Sequence, residues 1–237
     1  MRFWAVIPAA GVGRRMGGGD RPKQYRLLQG RPVLAWALER LLADPRVEGA
    51  VVAVAATDPY WDELTVTHDK PVHRVDGGAE RRDSVRAALG WLEGRAEAAD
   101  RVLVHDAVRP CLSRGELERL LDEGGDAPDG ALLATPVRDT LKSAGEAQEV
   151  ARTVSRAGLW QAQTPQLFPL GRLARALDDA LAAGAEVTDE AQAVERDGGR
   201  PRLVLGEASN LKITHQADLD LAAAVLAAQG AAEEGAR

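Results

Sequence analysis

The chain has 237 residues, of which 45% are hydrophobic and 28% are charged, and its formal net charge is −6. These values exclude a disordered chain, and the length is sufficient for a domain with a full hydrophobic core. The single cysteine excludes a disulfide scaffold. The longest apolar runs, such as residues 50–56, are far too short to span a bilayer, which excludes a multi-helix membrane protein. The acidic balance argues against general nucleic-acid binding.

The first residues do not fit a secretory leader. The apolar run 3–8 is short, and Arg14 and Arg15 follow it, where a leader has small residues and a cleavage site. Together with the lone cysteine, this predicts a cytoplasmic location.

Short apolar runs alternate with amphipathic helical segments, which predicts an α/β fold with a mostly parallel sheet flanked by helices. We expect a capping box at Ser113 and Glu116 and a helix N-cap at Thr188. The predicted strands are 3–7, 49–55, 72–75, 101–105, 131–136 and 202–205, and the predicted helices are 33–42, 84–92, 113–121, 170–183, 188–196 and 217–228.

One segment, 137–156, breaks this alternation. It has little apolar content and two β-compatible stretches around a turn, which predicts a hairpin arm that leaves the core and packs on a partner chain. We expect residues 1–228 to form a single domain and residues 229–237 to form a flexible tail.

Ligands of open parallel sheets bind at the carboxyl ends of the strands. The first predicted strand is followed by Pro8-Ala9-Ala10-Gly11-Val12-Gly13, whose backbone N–H groups could cradle phosphates, or which could form an ordinary strand-to-helix turn. The segment lacks the third glycine of the dinucleotide fingerprint, and the chain has no Gly-Lys pair for a Walker P-loop.

Two other strand ends carry candidate ligand-binding groups. Gly77-Gly78 with Arg81 and Ser84 could meet a base or a phosphate, or could form a plain turn. Asp106 follows the fourth strand, where a carboxylate could bind a hydroxyl group or lie near Mg²⁺, or could cap a helix.

Only four of the 30 basic residues are lysines: Lys23, Lys70, Lys142 and Lys212. Lys23 comes just after a run of three glycines. Lys212 lies in an apolar segment that we interpret as a strand, where an unpaired ammonium is costly, so we expect a carboxylate or an anionic ligand beside it. The four histidines lack metal-ligand spacing, which makes a zinc site improbable, and Cys111 is predicted to be a small core residue.

Nine motifs occur in an order that resembles the 2-C-methyl-D-erythritol 4-phosphate cytidylyltransferase family, over about residues 3–225. They are Pro-Ala-Ala-Gly-x-Gly-Arg-Arg-Met (8–16), Pro-Lys-Gln-Tyr (22–25), Asp-Gly-Gly (76–78) with Arg81 and Ser84, Val-His-Asp-Ala-x-Arg-Pro (104–110), Pro-Val-Arg-Asp-Thr (136–140), Thr-Val-x-Arg (153–156), Gln-Thr-Pro-Gln (163–166), Thr-Asp-Glu-Ala (188–191) and Asn-Leu-Lys-Ile-Thr (210–214).

The resemblance implies a Rossmann-like nucleotidyltransferase fold and transfer of a cytidylyl group from CTP to 2-C-methyl-D-erythritol 4-phosphate, with Mg²⁺ or Mn²⁺. It implies a homodimer in which Arg156 and Thr188 reach the neighbouring site. By position in the motifs, the catalytic residues are Arg15, Lys23, Arg156 and Lys212; the nucleotide-binding residues are Pro8, Ala9, Ala10, Gly11, Gly13, Gly78, Arg81, Ser84 and Ala107; and the substrate-binding residues are Asp106, Arg109, Thr140, Thr164 and Thr188. Asp106 would also lie near the metal, which we expect mainly on the CTP phosphates.

Two alternatives remain open. A cytidylyltransferase acting on another polyol phosphate, such as ribitol 5-phosphate, would keep the chemistry, but such enzymes tend to begin with Ala-Gly-Gly and to lack the 136–140 motif. A non-catalytic nucleotide sensor would be expected to have lost Lys23 or Lys212, and both are present.

Overall fold

The computed structural model describes residues 1–11 and 21–235. The strands are β1 (Phe3–Pro8), β2 (Leu27–Leu28), β3 (Arg31–Pro32), β4 (Val47–Val54), β5 (Val72–Asp76), β6 (Arg101–Val104), β7 (Ala131–Pro136), β8 (Leu141–Ala144), β9 (Val150–Val154), β10 (Trp160–Pro169) and β11 (Arg202–Leu205). The helices are α1 (Val33–Leu42), α2 (Arg81–Glu93), α3 (Arg114–Gly124), α4 (Leu170–Ala182), α5 (Glu190–Arg196) and α6 (Gln216–Gly235). None of these described helices is long and apolar enough to cross a membrane.

Within the described residues a seven-stranded sheet has the order β11-β7-β10-β6-β1-β4-β5. Neighbouring strands are parallel except at β10, which runs antiparallel to both β6 and β7. The prediction of a mostly parallel sheet is therefore confirmed. The chain first adds β4 and β5 on one side of β1 and then places β6 on the other side. The crevice between the ends of β1 and β6 is thus a topological switch point, where sheets of this kind bind ligands.

Helices cover both faces of the sheet, which is why its central strands are apolar on both sides. Alternate residues of β1 enter opposite cores: Ile7 packs with the leucines of α1 and α3, whereas Val6 packs with α2, α4 and α5. The predicted capping box begins α3, since Ser113 Oγ accepts from the Glu116 N–H and the Glu116 carboxylate accepts from the Ser113 N–H. Two packed faces hold the strand ends in fixed positions.

A third apolar cluster fixes the C-terminal helix. Leu219, Ala222 and Leu226 of α6 pack with Cys111 and Val33. Cys111 is fully buried, and burial raises the pKa of its thiol to about 12. The prediction that it is a core residue is confirmed.

The segment predicted as an arm forms the β8–β9 hairpin. Leu141 pairs with Val154 in antiparallel register, and the two strands form a sheet of their own, separate from the seven-stranded sheet. The hairpin is largely exposed, in agreement with its polar sequence. Its packing on a partner chain stays a prediction.

Two expectations about local structure in the C-terminal half need correction. Helix α5 begins at Glu190 and not at Thr188, because the Asp189 side chain is the cap and accepts from the Gln192 N–H at 2.9 Å. Residues 210–214 are not a strand: the Ile213 N–H donates to the Val108 carbonyl, but no ladder follows among the described residues.

One strand carries no clear sequence signal, and one helix is longer than its sequence pattern predicts. Strand β10 was not predicted, because glutamines and Pro165 interrupt its apolar pattern. Helix α6 continues to Gly235 instead of ending at residue 228, since its alanine-rich C-terminal part is a good helix former.

Candidate active site

A cavity of about 340 Å³ opens at the switch point between β1 and β6. The segment after β1 forms one wall and the segment after β6 forms another, as the topology requires. Among its lining residues are three basic side chains and one carboxylate. The lining residues are Pro8, Ala9, Gly11, Lys23, Gln24, Arg81, Asp106, Ala107, Val108 and Lys212.

Asp106 is the centre of an ion-pair network. Its Oδ1 lies 3.3 Å from Nε of Arg81, and its Oδ2 lies 2.9 Å from Nζ of Lys212 and 3.4 Å from Nε of Arg109. Arg81 also pairs with the buried carboxylate of Glu190. The carboxylate that we expected beside Lys212 is therefore Asp106.

These cations keep Asp106 ionised although it is buried. Burial alone would raise the pKa of its carboxyl, but Arg81, Lys212 and Arg109 outweigh burial and hold the pKa far below its usual range. A carboxylate with a depressed pKa stabilises the fold above its unfolded pKa of about 3.9, and this contribution is lost as the pH falls toward the folded pKa.

We expect Asp106→Asn to lower the free energy of unfolding by about 3–5 kcal/mol at pH 7, because it leaves three cations around a neutral group. Urea unfolding of both proteins at pH 7 and near pH 3 measures this. The difference should shrink at the lower pH, because the Asp106 carboxyl of the unfolded parent chain takes up a proton there while the folded one stays ionised. Asp122→Asn, at an exposed partner of Arg46, is the control and should change stability little. A pH-independent difference would contradict the assignment.

Gln24 links the segment that contains Lys23 to the loop after β1 by hydrogen bonds. Its Nε2 donates to the carbonyl oxygens of Ala9 at 2.7 Å and Gly11 at 3.3 Å. Nζ of Lys23 donates to the Thr214 carbonyl at 3.2 Å, which joins the same segment to the chain around Lys212. Both lysines are thus held at one cavity by distant parts of the sequence.

The double glycine after β5 allows three segments to meet. A Cβ at Gly77 would lie 2.6 Å from Cβ of Ala10 and 2.8 Å from Oγ of Ser84, which leaves no room for a side chain. The Gly78 N–H donates to Oγ of Ser84 at 3.2 Å. Ala10, Gly78 and Ser84, which were predicted from two separate motifs, are therefore brought together beside the loop after β1. Their role in nucleotide binding stays a prediction.

Several predicted site residues lie outside the cavity lining. Thr140 is exposed at the start of the hairpin, Arg156 is exposed just after it, and Thr188 is exposed and bonded to Gln192. Gly13 and Arg15 lie outside the described residues. The roles predicted for these five residues stay predictions.

Thr164 is buried, and its hydroxyl is engaged by the protein itself. Oγ1 lies 3.0 Å from both the Asp106 N–H nitrogen and Nδ1 of His105. A contact between this hydroxyl and a substrate stays a prediction. The geometry gives Thr164 a structural function at the end of β6.

Asp106 is the only carboxylate among the described residues that line the cavity. Both oxygens of Asp106 face cations, so the predicted weak role as a metal ligand does not fit this arrangement. Among residues 1–11 and 21–235, no three or more His, Cys, Asp or Glu side chains are grouped to hold a metal. Binding of a divalent cation through the phosphates of CTP stays a prediction.

Sequence reasoning did not assign Gln24, His105, Val108 or Glu190 to the site. All four residues lie within the nine motifs, and the order of the motifs was a usable signal for them. The four histidines lack metal-ligand spacing, so the residue type alone gives no reason to single out His105. Its importance depends on contacts with Arg109 and Thr164, which no local pattern reveals.

Comparisons with known proteins agree with this geometry. A family profile described as 2-C-methyl-D-erythritol 4-phosphate cytidylyltransferase matches residues 3–228. A relative with that name from Halorhodospira halophila is 75% identical over 236 residues, covering 98% of this chain and 97% of the relative.

Solved structures give the same result. A crystal structure of 4-diphosphocytidyl-2C-methyl-D-erythritol synthase matches with a TM-score of 0.83 and 39% identity, covering 95% of this chain and 98% of that chain. The cytidylyltransferase of Francisella tularensis matches with a TM-score of 0.82 and 34% identity, covering 95% and 100%.

The fold, the basic cavity and these matches define a CTP-dependent nucleotidyltransferase. Such enzymes join a nucleotide to a second substrate with release of pyrophosphate. The chain belongs to the 2-C-methyl-D-erythritol 4-phosphate cytidylyltransferase family.

Proposed function

We propose that the enzyme works by in-line attack of the phosphate of 2-C-methyl-D-erythritol 4-phosphate on the α-phosphorus of CTP. An oxygen of the substrate phosphate forms the new bond as the bond from the α-phosphorus to pyrophosphate breaks. The products are 4-diphosphocytidyl-2-C-methyl-D-erythritol and pyrophosphate. The observation that carries the proposal is the meeting of Lys23, Arg81 and Lys212 in one cavity at the switch point.

The chemistry needs cations more than it needs a base. The attacking phosphate is already an anion near neutral pH, so no proton has to be removed from it. The barrier comes from bringing two anions together and from charge that grows around the α-phosphorus, and fixed positive groups lower that barrier. Lys23, with Arg15, would act on the triphosphate, and Lys212 would hold the attacking phosphate.

The Lys212–Asp106 pair suggests how the second substrate enters. The Lys212 side chain remains 45% exposed although its Nζ lies 2.9 Å from Asp106. An arriving phosphate would compete with Asp106 for this ammonium and draw it toward the α-phosphorus. Asp106 would keep Arg81 and Arg109 as partners, so it would not be left as an unpaired buried charge.

The divalent cation, Mg²⁺ or Mn²⁺, would enter on the phosphates of CTP. The loop after β1, with Pro8 to Gly11 and Gly13, and the turn at Gly78, Arg81 and Ser84 would hold the nucleotide, together with Ala107. Asp106 and Arg109, with Thr140 and Thr164, would meet the methylerythritol part. The lone buried thiol of Cys111 is consistent with a cytoplasmic location.

The active unit would be a homodimer. Apolar side chains are exposed on the hairpin and at its base, namely Val150, Leu159 and Trp160. Such residues are typical of a surface covered by another chain. In the dimer, Arg156 and Thr188 would reach the substrate phosphate in the neighbouring site.

We expect Arg156→Ala to raise the KM for 2-C-methyl-D-erythritol 4-phosphate at least tenfold and to leave CTP binding unchanged, because it removes a cation for the acceptor phosphate only. Steady-state kinetics and nucleotide titration measure the two effects. Arg152→Ala, at an exposed residue of β9, is the matched control. Unchanged acceptor kinetics in Arg156→Ala would contradict the exchanged arm.

The in-line path has its own test. With one diastereomer of CTP in which sulfur replaces a non-bridging oxygen of the α-phosphate, the α-phosphorus is a stereocentre, and a single displacement inverts its configuration. Phosphorus NMR of the product reports the configuration. Retention would indicate two displacements through a nucleotidyl-enzyme intermediate and would contradict direct attack.

A further inference from the structure

His105 is fully buried directly after β6, and the proposed chemistry gives it no role. Both of its ring nitrogens nevertheless have polar partners. Nε2 lies 3.0 Å from the carbonyl oxygen of Arg109, and Nδ1 lies 3.0 Å from Oγ1 of Thr164. The ring therefore bridges two segments that carry substrate-site residues.

The partners decide where the ring carries its proton. The Arg109 carbonyl only accepts, so Nε2 must be the protonated nitrogen. Oγ1 of Thr164 already accepts from the Asp106 N–H at 3.0 Å, and its own proton is donated to Nδ1. One neutral tautomer thus satisfies every group. Burial lowers the pKa of His105 to about 4, in agreement with a neutral ring.

The strand pairing explains why a side chain is needed here. The antiparallel ladder between β6 and β10 ends with Val104 opposite Gln166. On the other side of β10, the pairing with β7 shifts register between Ala162 and Gln166. Pro165 has no N–H to offer, so regular pairing stops. The Thr164 hydroxyl supplies the acceptor for the Asp106 N–H in place of a strand carbonyl.

The same ring also closes the turn that follows. The Arg109 N–H donates to the Asp106 carbonyl at 3.1 Å, and His105 holds the Arg109 carbonyl from the other side. The backbone of Asp106 and that of Arg109 are thereby fixed relative to each other. Since Asp106 anchors Arg81, Arg109 and Lys212, a shift of its backbone would move all three cations.

We infer that His105, as the neutral Nε2–H tautomer, is a positioning residue that holds Asp106 and Arg109 in place through Thr164 and the Arg109 carbonyl. The inference rests on the proposed function for its effect on catalysis. A displacement of about 1 Å in an active site can cost about 100-fold in rate. We therefore expect an effect on kcat without any contact between His105 and substrate.

Three substitutions separate the two hydrogen bonds. His105→Leu removes both, His105→Asn keeps an acceptor near the position of Nδ1, and His105→Gln keeps a donor near the position of Nε2. We expect kcat per folded molecule to fall about 100-fold in the first variant and by smaller factors in the other two. His68→Gln, at a histidine remote from this cavity, is the matched control.

Thermal unfolding of each variant measures the folded fraction, so that kcat is compared among folded molecules. A purely structural role would lower the melting temperature and leave kcat per folded molecule at the parent value. That result in His105→Leu would overturn the inference. A large loss of kcat per folded molecule in His105→Leu, with smaller losses in His105→Asn and His105→Gln, would support the inference.

The tautomer is read without any substrate. In a long-range ¹H–¹⁵N spectrum near pH 7, the His105 signals are those missing from His105→Gln, and they should show a proton on Nε2 alone. A proton on Nδ1 would overturn the inference. Absence of pyrophosphate release by the parent protein would count against the proposed function instead, so the two failures are distinguishable.

Discussion

We expect Lys23→Met to lower kcat about 1,000-fold while changing the dissociation constant of CTP less than fivefold. Methionine keeps the length and apolar stem of the side chain and removes only the ammonium. The negative charge that Lys23 would stabilise grows as the α-phosphorus is attacked. Loss of the ammonium should therefore raise the free energy of the transition state much more than that of bound CTP. Pyrophosphate release under saturating substrates and calorimetric titration with MgCTP measure the two quantities.

The other lysines provide a control for Lys23→Met. Lys142 donates to Oγ1 of Thr153 across the exposed hairpin and is not among the residues that line the cavity of its own chain. Lys142→Met should keep the parent kcat. If Lys23→Met weakened CTP binding and lowered kcat by equal factors, Lys23 would contribute to ground-state binding, and its assignment as a catalytic residue would be wrong.

We expect Lys212→Met to lower kcat/KM for the acceptor 100-fold to 1,000-fold, because no ammonium remains to draw the attacking phosphate toward the α-phosphorus. Its effect on stability should be small. The ion pair with Asp106 is partly exposed on the lysine side, and such pairs contribute at most about 1 kcal/mol. Acceptor kinetics and urea unfolding of the same preparation give both values.

The contrast with Asp106→Asn makes the test of Lys212 specific. Asp106→Asn should lose stability because three cations lose their carboxylate, whereas Lys212→Met removes only one of them. A loss of stability in Lys212→Met as large as that in Asp106→Asn would assign the lysine to the fold instead of the reaction. Parent-like acceptor kinetics in Lys212→Met would contradict its proposed role directly.

The helices and most strands could be predicted because they follow local rules. The apolar run of β4 and the Ser113–Glu116 capping box each carry their own signal. Strand β10 could not be found in this way, since the amide nitrogens of its buried glutamines donate to remote partners, namely Asp189 and the Glu207 carbonyl. A polar strand inside a core is visible only when its partners are known.

Some features of the candidate site could likewise be predicted from the sequence, and others could not. Glycines and rare lysines at strand ends indicated a phosphate-binding cavity, and the sheet topology brings Gly11, Lys23, Asp106 and Lys212 together there. The cations around Asp106 could not all be identified from the sequence, because two of them, Arg81 and Lys212, come from distant segments. The role of His105 could not be predicted either, because its partners, the Arg109 carbonyl and the Thr164 hydroxyl, come from different segments of the chain.

The most direct test of the account is pyrophosphate release from MgCTP, measured in parallel with 2-C-methyl-D-erythritol 4-phosphate and with ribitol 5-phosphate as acceptors. Reactions without any acceptor, and reactions in which Lys142→Met replaces the parent protein, are the controls. We predict release with the methylerythritol phosphate and none above background with the ribitol phosphate. Release with ribitol 5-phosphate alone, or with neither acceptor in a folded protein that binds CTP, would contradict the account.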